Sequence, residues 1–317
     1  MSDDSQAYLN SSTPAPIAPN TPNTPNAPSG PGVEWLLHYS LQPLVLGVVL
    51  AYWLADPGNA LTFVVVLLFV QLLLGALEYW RPVRPHWRHS AREKLRVVAI
   101  FVGVFVTTAW IGEWYSAVLR QPLGVLRESA GLDVWPHQWP LIVQALMVFL
   151  LSEFLWYWLH RAEHRFTLVW RLSGHGAHHA FKRLNAINSG ANHPLEYFLL
   201  LLPSALVELT FGVGVAVIGA SLLTITQASF AHTNLNLNSR VIGWLLTTNL
   251  HHLRHHSVVL EESNTNYGCS SILWDRVFGT FSETPVVETG IGPTEPSTWH
   301  KFIMPLREPA DSNVAPQ

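Results

Sequence analysis

The chain has 317 residues, of which 49% are hydrophobic and only 12% charged, with a mean hydropathy of +0.22 and a formal net charge of -3. Soluble domains carry about 25% charged residues, so an ordinary soluble domain is excluded; the net charge argues neither for nor against a nucleic-acid partner, but the chain has no basic stripe interleaved with aromatics and none is expected. The single cysteine, Cys269, rules out an internal disulfide and any cysteine-built metal cluster.

Residues 1–34 are rich in Pro, Ser, Asn and Thr and contain no Lys or Arg, the composition of a disordered tail rather than of a signal peptide. Apolar runs of the length needed to span a bilayer, about 20 residues, then follow at roughly 36–55, 60–79, 97–119 and 140–159. Pro43 is positioned to kink the first, and Asp56-Pro57-Gly58-Asn59 turns the chain into the second. The apolar stretch 198–228 is too long for one span and carries Gly212 and Gly214 near its middle, so it is predicted to form a helical hairpin. Glu208 lies in that stretch, either at membrane depth or at the turn. Fourteen tryptophans suit the aromatic belts of such a protein. The fold class expected is therefore an all-α integral membrane protein, with about four transmembrane helices plus a helical hairpin.

Orientation follows from the basic residues. Arg81, Arg84, Arg88, Arg92, Lys94 and Arg96 separate the second and third spans, whereas only Arg120 and Arg127 separate the third and fourth. By the positive-inside rule the former segment is cytoplasmic. Two further spans return the chain to that side, and a hairpin that enters and leaves on one face keeps the rest of the chain there.

Eleven of the 16 histidines lie between His160 and His256, and His38, His86, His89, His137 and His300 lie outside that cluster. Eight fall in three boxes: His160-Arg161-Ala162-Glu163-His164, His175-Gly176-Ala177-His178-His179 and His252-Leu253-Arg254-His255-His256. Spacings of three and four place imidazoles on one helix face. One catalytic zinc takes about three histidines, so this set points to two metals. Neighbours on a helix are about 100° apart, from 3.6 residues per turn, so His178-His179 and His255-His256 should each serve two ions. His232 is assigned as a further ligand, Glu153, seven residues before His160, and Asn236 are candidates for a place beside the metals, and His193 is either a ligand or a residue beside them. The zinc-protease pattern His-Glu-x-x-His is absent because the glutamate of the first box stands next to its second histidine. There is no Gly-rich phosphate loop.

With these boxes go Tyr157-Trp158, His193-Pro194-Leu195-Glu196, His232-Thr233-Asn234, Asn266-Tyr267-Gly268 and Trp274-Asp275-Arg276-Val277-Phe278-Gly279-Thr280-Phe281. Together they resemble the fatty acid hydroxylase/sterol desaturase superfamily over about residues 60–285. The resemblance implies a membrane oxidoreductase with two non-haem iron ions (zinc being a substitute in purified protein) that uses O2 to hydroxylate or desaturate a membrane lipid such as a fatty acyl chain or sterol. Some relatives carry a histidine four positions after the one matched by His232, where this chain has Asn236. An external electron donor protein (ferredoxin, reductase or haem protein) is expected, since the chain has no Gly-x-Gly-x-x-Gly fingerprint and too few thiols for an iron–sulfur cluster. The division is then a tail over 1–34, a catalytic unit over 35–290 with its histidine-rich cap on the cytoplasmic side, and a C-terminal tail over 291–317. The rivals are a membrane metal transporter, whose ligands belong near mid-span, and a metal-binding protein without oxygenase activity.

Overall fold

A computed structural model describes residues 30–307 and shows an all-helical chain, with two isolated bridges and no strand among the described residues. The expected tail at 1–29 and the chain beyond 307 lie outside the described residues.

Four helices are long and apolar enough to cross a membrane: α1 (Val33–Ala55), α2 (Thr62–Trp80), α3 (Ala91–Ser129) and α4 (Leu141–Arg165). They make the chain a multi-pass membrane protein. Leu44, Leu68, Leu72, Val106 and Trp110 stand exposed on their outer faces, apolar surface that a bilayer covers. Pro43 sits inside an unbroken α1. The third helix is longer than the apolar run alone suggests. Its 39 residues start at a capping box in which Ser90 Oγ accepts from Glu93 N and Glu93 accepts from Ser90 N at 2.7 Å. Glu93 also pairs with Arg183, so the first turns of α3 are held by the cap rather than by lipid.

Beyond α4 come two short helices, α5 (Thr167–Ser173) and α6 (Gly176–His179). The stretch 198–228 is a hairpin of α7 (Glu196–Phe211) and α8 (Ala216–His232). It turns through Gly212 and Gly214, at φ 67° and 61°. The left-handed backbone at Gly212 favours glycine there, and the Arg127 guanidinium lies against it. Glu208 lies one turn before this bend, its carbonyl accepting from Gly212 N. Val49 and Trp53 of α1, with Val66, Val70 and Leu74 of α2, pack against Leu222 and Phe230 of α8. Val104, Ile111 and Tyr115 of α3 pack against Tyr197 of α7.

The cap is completed by α9 (Asn249–His255), α10 (Leu260–Ser263), α11 (Leu273–Phe278) and α12 (Thr298–Ile303). The expected C-terminal tail from 291 packs in part against this cap. Ile291 and Met304 are buried with Trp170 and Ala180, so the chain to residue 307 belongs to the cap. Charged neighbours disguise these few apolar anchors in the sequence. The basic segment after α2 is fastened to the cap too, through Val83 N to Asn234 O and Arg84 N to Asn234 Oδ1.

Candidate metal centre

The last turns of α4 present His160 and His164 on one stripe at the end of a membrane helix, as their spacing requires. His175, His178 and His179 come from α6 and its N-cap, His252, His255 and His256 from α9 and its C-cap, and His232 from the last residue of α8. All nine are at most 5% exposed. Their nitrogens fall into two groups, each within 4.8 Å: His160, His164, His175, His179 and His255, and His178, His232, His252 and His256. Both adjacent pairs, His178-His179 and His255-His256, are divided between the groups, and the His179 and His256 rings stack at 4.5 Å where the groups meet.

In the first group the Nε2 atoms form a closed ring. The steps are His160 to His175 at 2.9 Å, His175 to His164 at 3.0 Å, His164 to His179 at 3.2 Å, His179 to His255 at 3.1 Å and His255 to His160 at 3.0 Å. The step from His255 to His160 is not a hydrogen bond. His160 Nδ1 lies against the Tyr267 carbonyl and His255 Nδ1 against the Thr265 carbonyl. A carbonyl only accepts, so both rings carry their proton on Nδ1 and face each other with bare Nε2 lone pairs. His232 is fixed in the same tautomer by Ala228 O at 2.9 Å, and its Nε2 stands 3.2 Å from His252 Nε2. Lone pairs converging at such distances repel unless a cation lies among them, so the residues fit a metal in each group, and imidazole suits iron, zinc or copper. Burial, and then mutual charge, holds His175, His178, His179, His252 and His256 well below the ordinary histidine range. Burial pushes His255 down to about 4. These six are neutral at pH 7, the form that ligates.

The residues expected beside the metals are distributed differently. Glu153 touches no ligand. Its Oε2 accepts from Ser270 N at 3.2 Å and Ser271 N at 3.0 Å, so it acts on the loop that carries the Tyr267 carbonyl. His193 accepts from Leu195 N at Nδ1 and donates from Nε2 to Phe302 O at 3.0 Å, which commits both nitrogens to the cap. Asn236 lies away from both groups and accepts from His38 Nδ1 at 3.0 Å, tying α1 to the loop after α8.

Two carboxylates escaped the sequence reading. Glu196 accepts from His175 Nδ1 at 2.8 Å, and Glu163 Oε2 lies 3.8 Å from the same nitrogen. Both are buried. Such a carboxylate fixes the tautomer of a ligating histidine and strengthens its donation. A signal was present for Glu196, the sole acid between Lys182 and Glu208 at the mouth of an apolar helix. The Trp274–Phe281 motif also acquires a task. Asp275 accepts from Tyr267 N at 2.8 Å and Gly268 N at 2.7 Å, holding the turn whose Tyr267 carbonyl receives His160. A Cβ on Gly268 would meet the Ser271 carbonyl oxygen at 2.0 Å.

A cavity of about 260 Å³ between α2, α3, α4, α7 and α8 ends on His175, His178 and His232, so both groups border it.

Fold and site together place two all-histidine groups that could hold metal at the cap end of a membrane bundle, beside a largely apolar cavity. The fatty acid hydroxylase family matches residues 145–280, which include every one of the nine histidines. The chain is 29% identical over 236 residues to ornithine lipid hydroxylase OlsE of Rhizobium tropici, covering 72% of this chain and 69% of that one. It is 30% identical over 139 residues to alkylglycerol monooxygenase of Xenopus tropicalis, covering 43% of this chain and 30% of that one. It is 26% identical over 183 residues to lathosterol oxidase of Rattus norvegicus, 57% of each chain. The match thus spans about two thirds of the first relative and far less of the second. No solved structure matches the chain significantly. Residues 145–280 thus match the fatty acid hydroxylase family, and with these relatives the match marks the chain as an oxidoreductase.

Proposed function

We propose that this oxidoreductase uses O2 to hydroxylate, or desaturate, a membrane lipid at two iron ions. His160, His164, His175, His179 and His255 would hold one, and His178, His232, His252 and His256 the other. The observation that carries the reading is the pair of adjoining all-histidine groups at the closed end of a cavity within the membrane bundle. An unactivated C–H bond offers no handle for acid–base catalysis, and bound iron supplies the electron chemistry with O2 that its oxidation needs. The chain's own residues supply position. Tyr267 O, Thr265 O, Ala228 O and Glu196 each fix the tautomer of one ligand. The helices around the cavity hold the lipid chain and exclude water.

The positions of the groups speak against transport, because they lie at the cap ends of α4 and α8 rather than at mid-span. A cytoplasmic cap is supported by the six basic residues from Arg81 to Arg96, whose segment is bonded to it and which the positive-inside rule favours on that side. Residues 35–290 form the catalytic unit, extended by the packed chain to 307. Electrons come from a separate donor protein, a ferredoxin, reductase or haem protein, that meets the cap.

The test is mass spectrometry of membrane lipids from cells expressing the chain and from cells expressing His179→Ala. A lipid that gains one oxygen, or loses two hydrogens, in the first cells alone supports the reading. Identical lipids, with iron-loaded protein and a donor system present, would sink it.

A further inference from the structure

Three aromatic side chains lie against ligand rings, and all three adjoin the first histidine group. Trp156 stacks on His160 with 5.0 Å between centroids. Trp170 stands 5.3 Å from His164, 5.2 Å from His175 and 5.5 Å from His179. Tyr267 stands 5.5 Å from His164, 6.0 Å from His255 and 6.1 Å from His160. Indole and phenol rings yield one electron to a strong oxidant far more readily than aliphatic side chains do.

The two tryptophans lead nowhere. Each is at most 5% exposed and, among the described residues, meets no aromatic ring beyond the ligands. Tyr267 leads outward. Its ring lies 6.0 Å from that of Tyr157, which lies 5.2 Å from that of Trp158. Tyr157 is fully buried, whereas Trp158 is 43% exposed. The Arg161 guanidinium lies 5.5 Å from the Trp158 ring at the outer end of this row.

The fate of a proton picks out Tyr157. A phenol that loses an electron becomes a strong acid, so it can hold the charge only where its proton has somewhere to go. The Tyr157 hydroxyl lies 3.0 Å from Thr280 Oγ1, and Thr280 spends its one hydrogen on Asp275 Oδ1 at 2.6 Å. Tyr157 therefore donates, into a wire that runs through Thr280 to a buried carboxylate. Arg161 Nη1 donates to the same phenol oxygen at 3.2 Å and steadies it once the proton has gone. Tyr267 makes its hydrogen bonds to His160 and Asp275 through its backbone, so its phenol has no such outlet.

We propose that Tyr267, Tyr157 and Trp158 form an escape route that carries oxidising equivalents out of the first histidine group when no lipid carbon consumes them, and so spares the ligand imidazoles. The inference rests on the reaction with O2 proposed above. In the first step one electron passes from Tyr157 by way of Tyr267 to the metal-bearing group. The Tyr157 O–H bond breaks, its proton moves to Thr280, and that of Thr280 moves to Asp275. Tyr157 is oxidised by one electron and the group is reduced by one. In the second step a thiol outside the protein returns one electron through Trp158, and the protons run back along the wire to restore the phenol. The thiol is left as half a disulfide and one released proton.

The test uses the full chain, iron-loaded, in lipid-free detergent, reduced without O2 and then mixed with O2-saturated buffer. O2 uptake is followed, samples frozen during uptake are read by electron paramagnetic resonance, and the spent protein is read by peptide mass spectrometry. A tyrosyl radical is expected in the unmodified protein. The chain has eight tyrosines, so variants assign the signal. Tyr157→Phe should abolish it, and Tyr115→Phe, on α3, should leave it. Tyr267→Phe keeps the carbonyl that receives His160 and should lower the yield several-fold. Trp158→Phe should prolong the radical several-fold in the presence of dithiothreitol. Peptides carrying His160 and His164 should gain oxygen several-fold faster in Tyr157→Phe than in the unmodified protein. O2 uptake without a tyrosyl radical in the unmodified protein overturns the inference whether or not the variants fold, and so does a radical that survives Tyr157→Phe. No O2 uptake by iron-loaded protein overturns the proposed reaction with O2, and this inference with it.

Discussion

Asp275 is the point at which the histidine centre is most exposed to a single substitution far from any ligand nitrogen. Its carboxylate is fully buried and accepts from Tyr267 N, Gly268 N and, at 2.6 Å, Thr280 Oγ1. Asp275→Ala strands the two backbone donors; the Thr280 hydroxyl still has Tyr157 OH at 3.0 Å. Each stranded buried donor costs about 1–3 kcal/mol, so the cap should lose about 2–6 kcal/mol. The Tyr267 carbonyl is then no longer fixed, and His160 loses the acceptor that sets its tautomer. Outer partners of metal ligands are typically worth 10- to 100-fold in metal affinity. The assay is thermal unfolding of the purified protein, together with metal per chain after dialysis against a chelator. Asp275→Asn, which keeps one acceptor oxygen, should fall between the two. Glu288→Ala, which removes an exposed partner of Lys182, serves as the control, because exposed pairs contribute about 0–1 kcal/mol. An Asp275→Ala protein with unchanged midpoint and full metal would refute the reasoning from Asp275 through Tyr267 to His160.

Three other outcomes are expected. Elemental analysis should give two metal ions per chain, with His179→Ala and His256→Ala each lowering the count; one ion, unaffected by either, would contradict the two groups. In a Cys269→Ala background, a cysteine in place of Arg183 should resist an impermeant thiol reagent on intact cells while one in place of Ser129 reacts, and the opposite labelling would invert the proposed orientation. Metal-free protein should lose stability as pH falls from about 6.5 toward 4. Its cap histidines titrate at lower pH folded than unfolded, so the unfolded chain binds more protons in that window, and full stability is present only above it. A midpoint that is flat across that window would speak against neutral buried imidazoles.

What the sequence made legible was periodic and local. Spans appear as apolar runs, the hairpin as an over-long run broken at Gly212 and Gly214, and the division of His178-His179 and His255-His256 as the 100° step between helix neighbours. What stayed hidden depends on contacts between distant segments. Glu153 reads from the sequence as a neighbour of the metals, but its partners are 117 and 118 residues further on, at Ser270 and Ser271. His193 looked like a metal residue until Phe302, 109 residues away, took its second nitrogen. The chain after 291 reads as polar because its apolar anchors are few and widely spaced, and periodicity cannot show that Ile291 and Met304 meet Trp170.

The division of each adjacent histidine pair means that one peptide unit in α6, and another at the end of α9, bears on both metal groups at once. A metal that settles the backbone of His179 and His255 in the first group also settles His178 and His256 in the second. If each group holds an ion as proposed, loading is a linked equilibrium, in which whichever ion binds first orders the helices that the other needs. Titration of the metal-free protein should show one steep transition rather than two separate affinities, and chelation should strip both ions together, leaving no long-lived half-loaded centre.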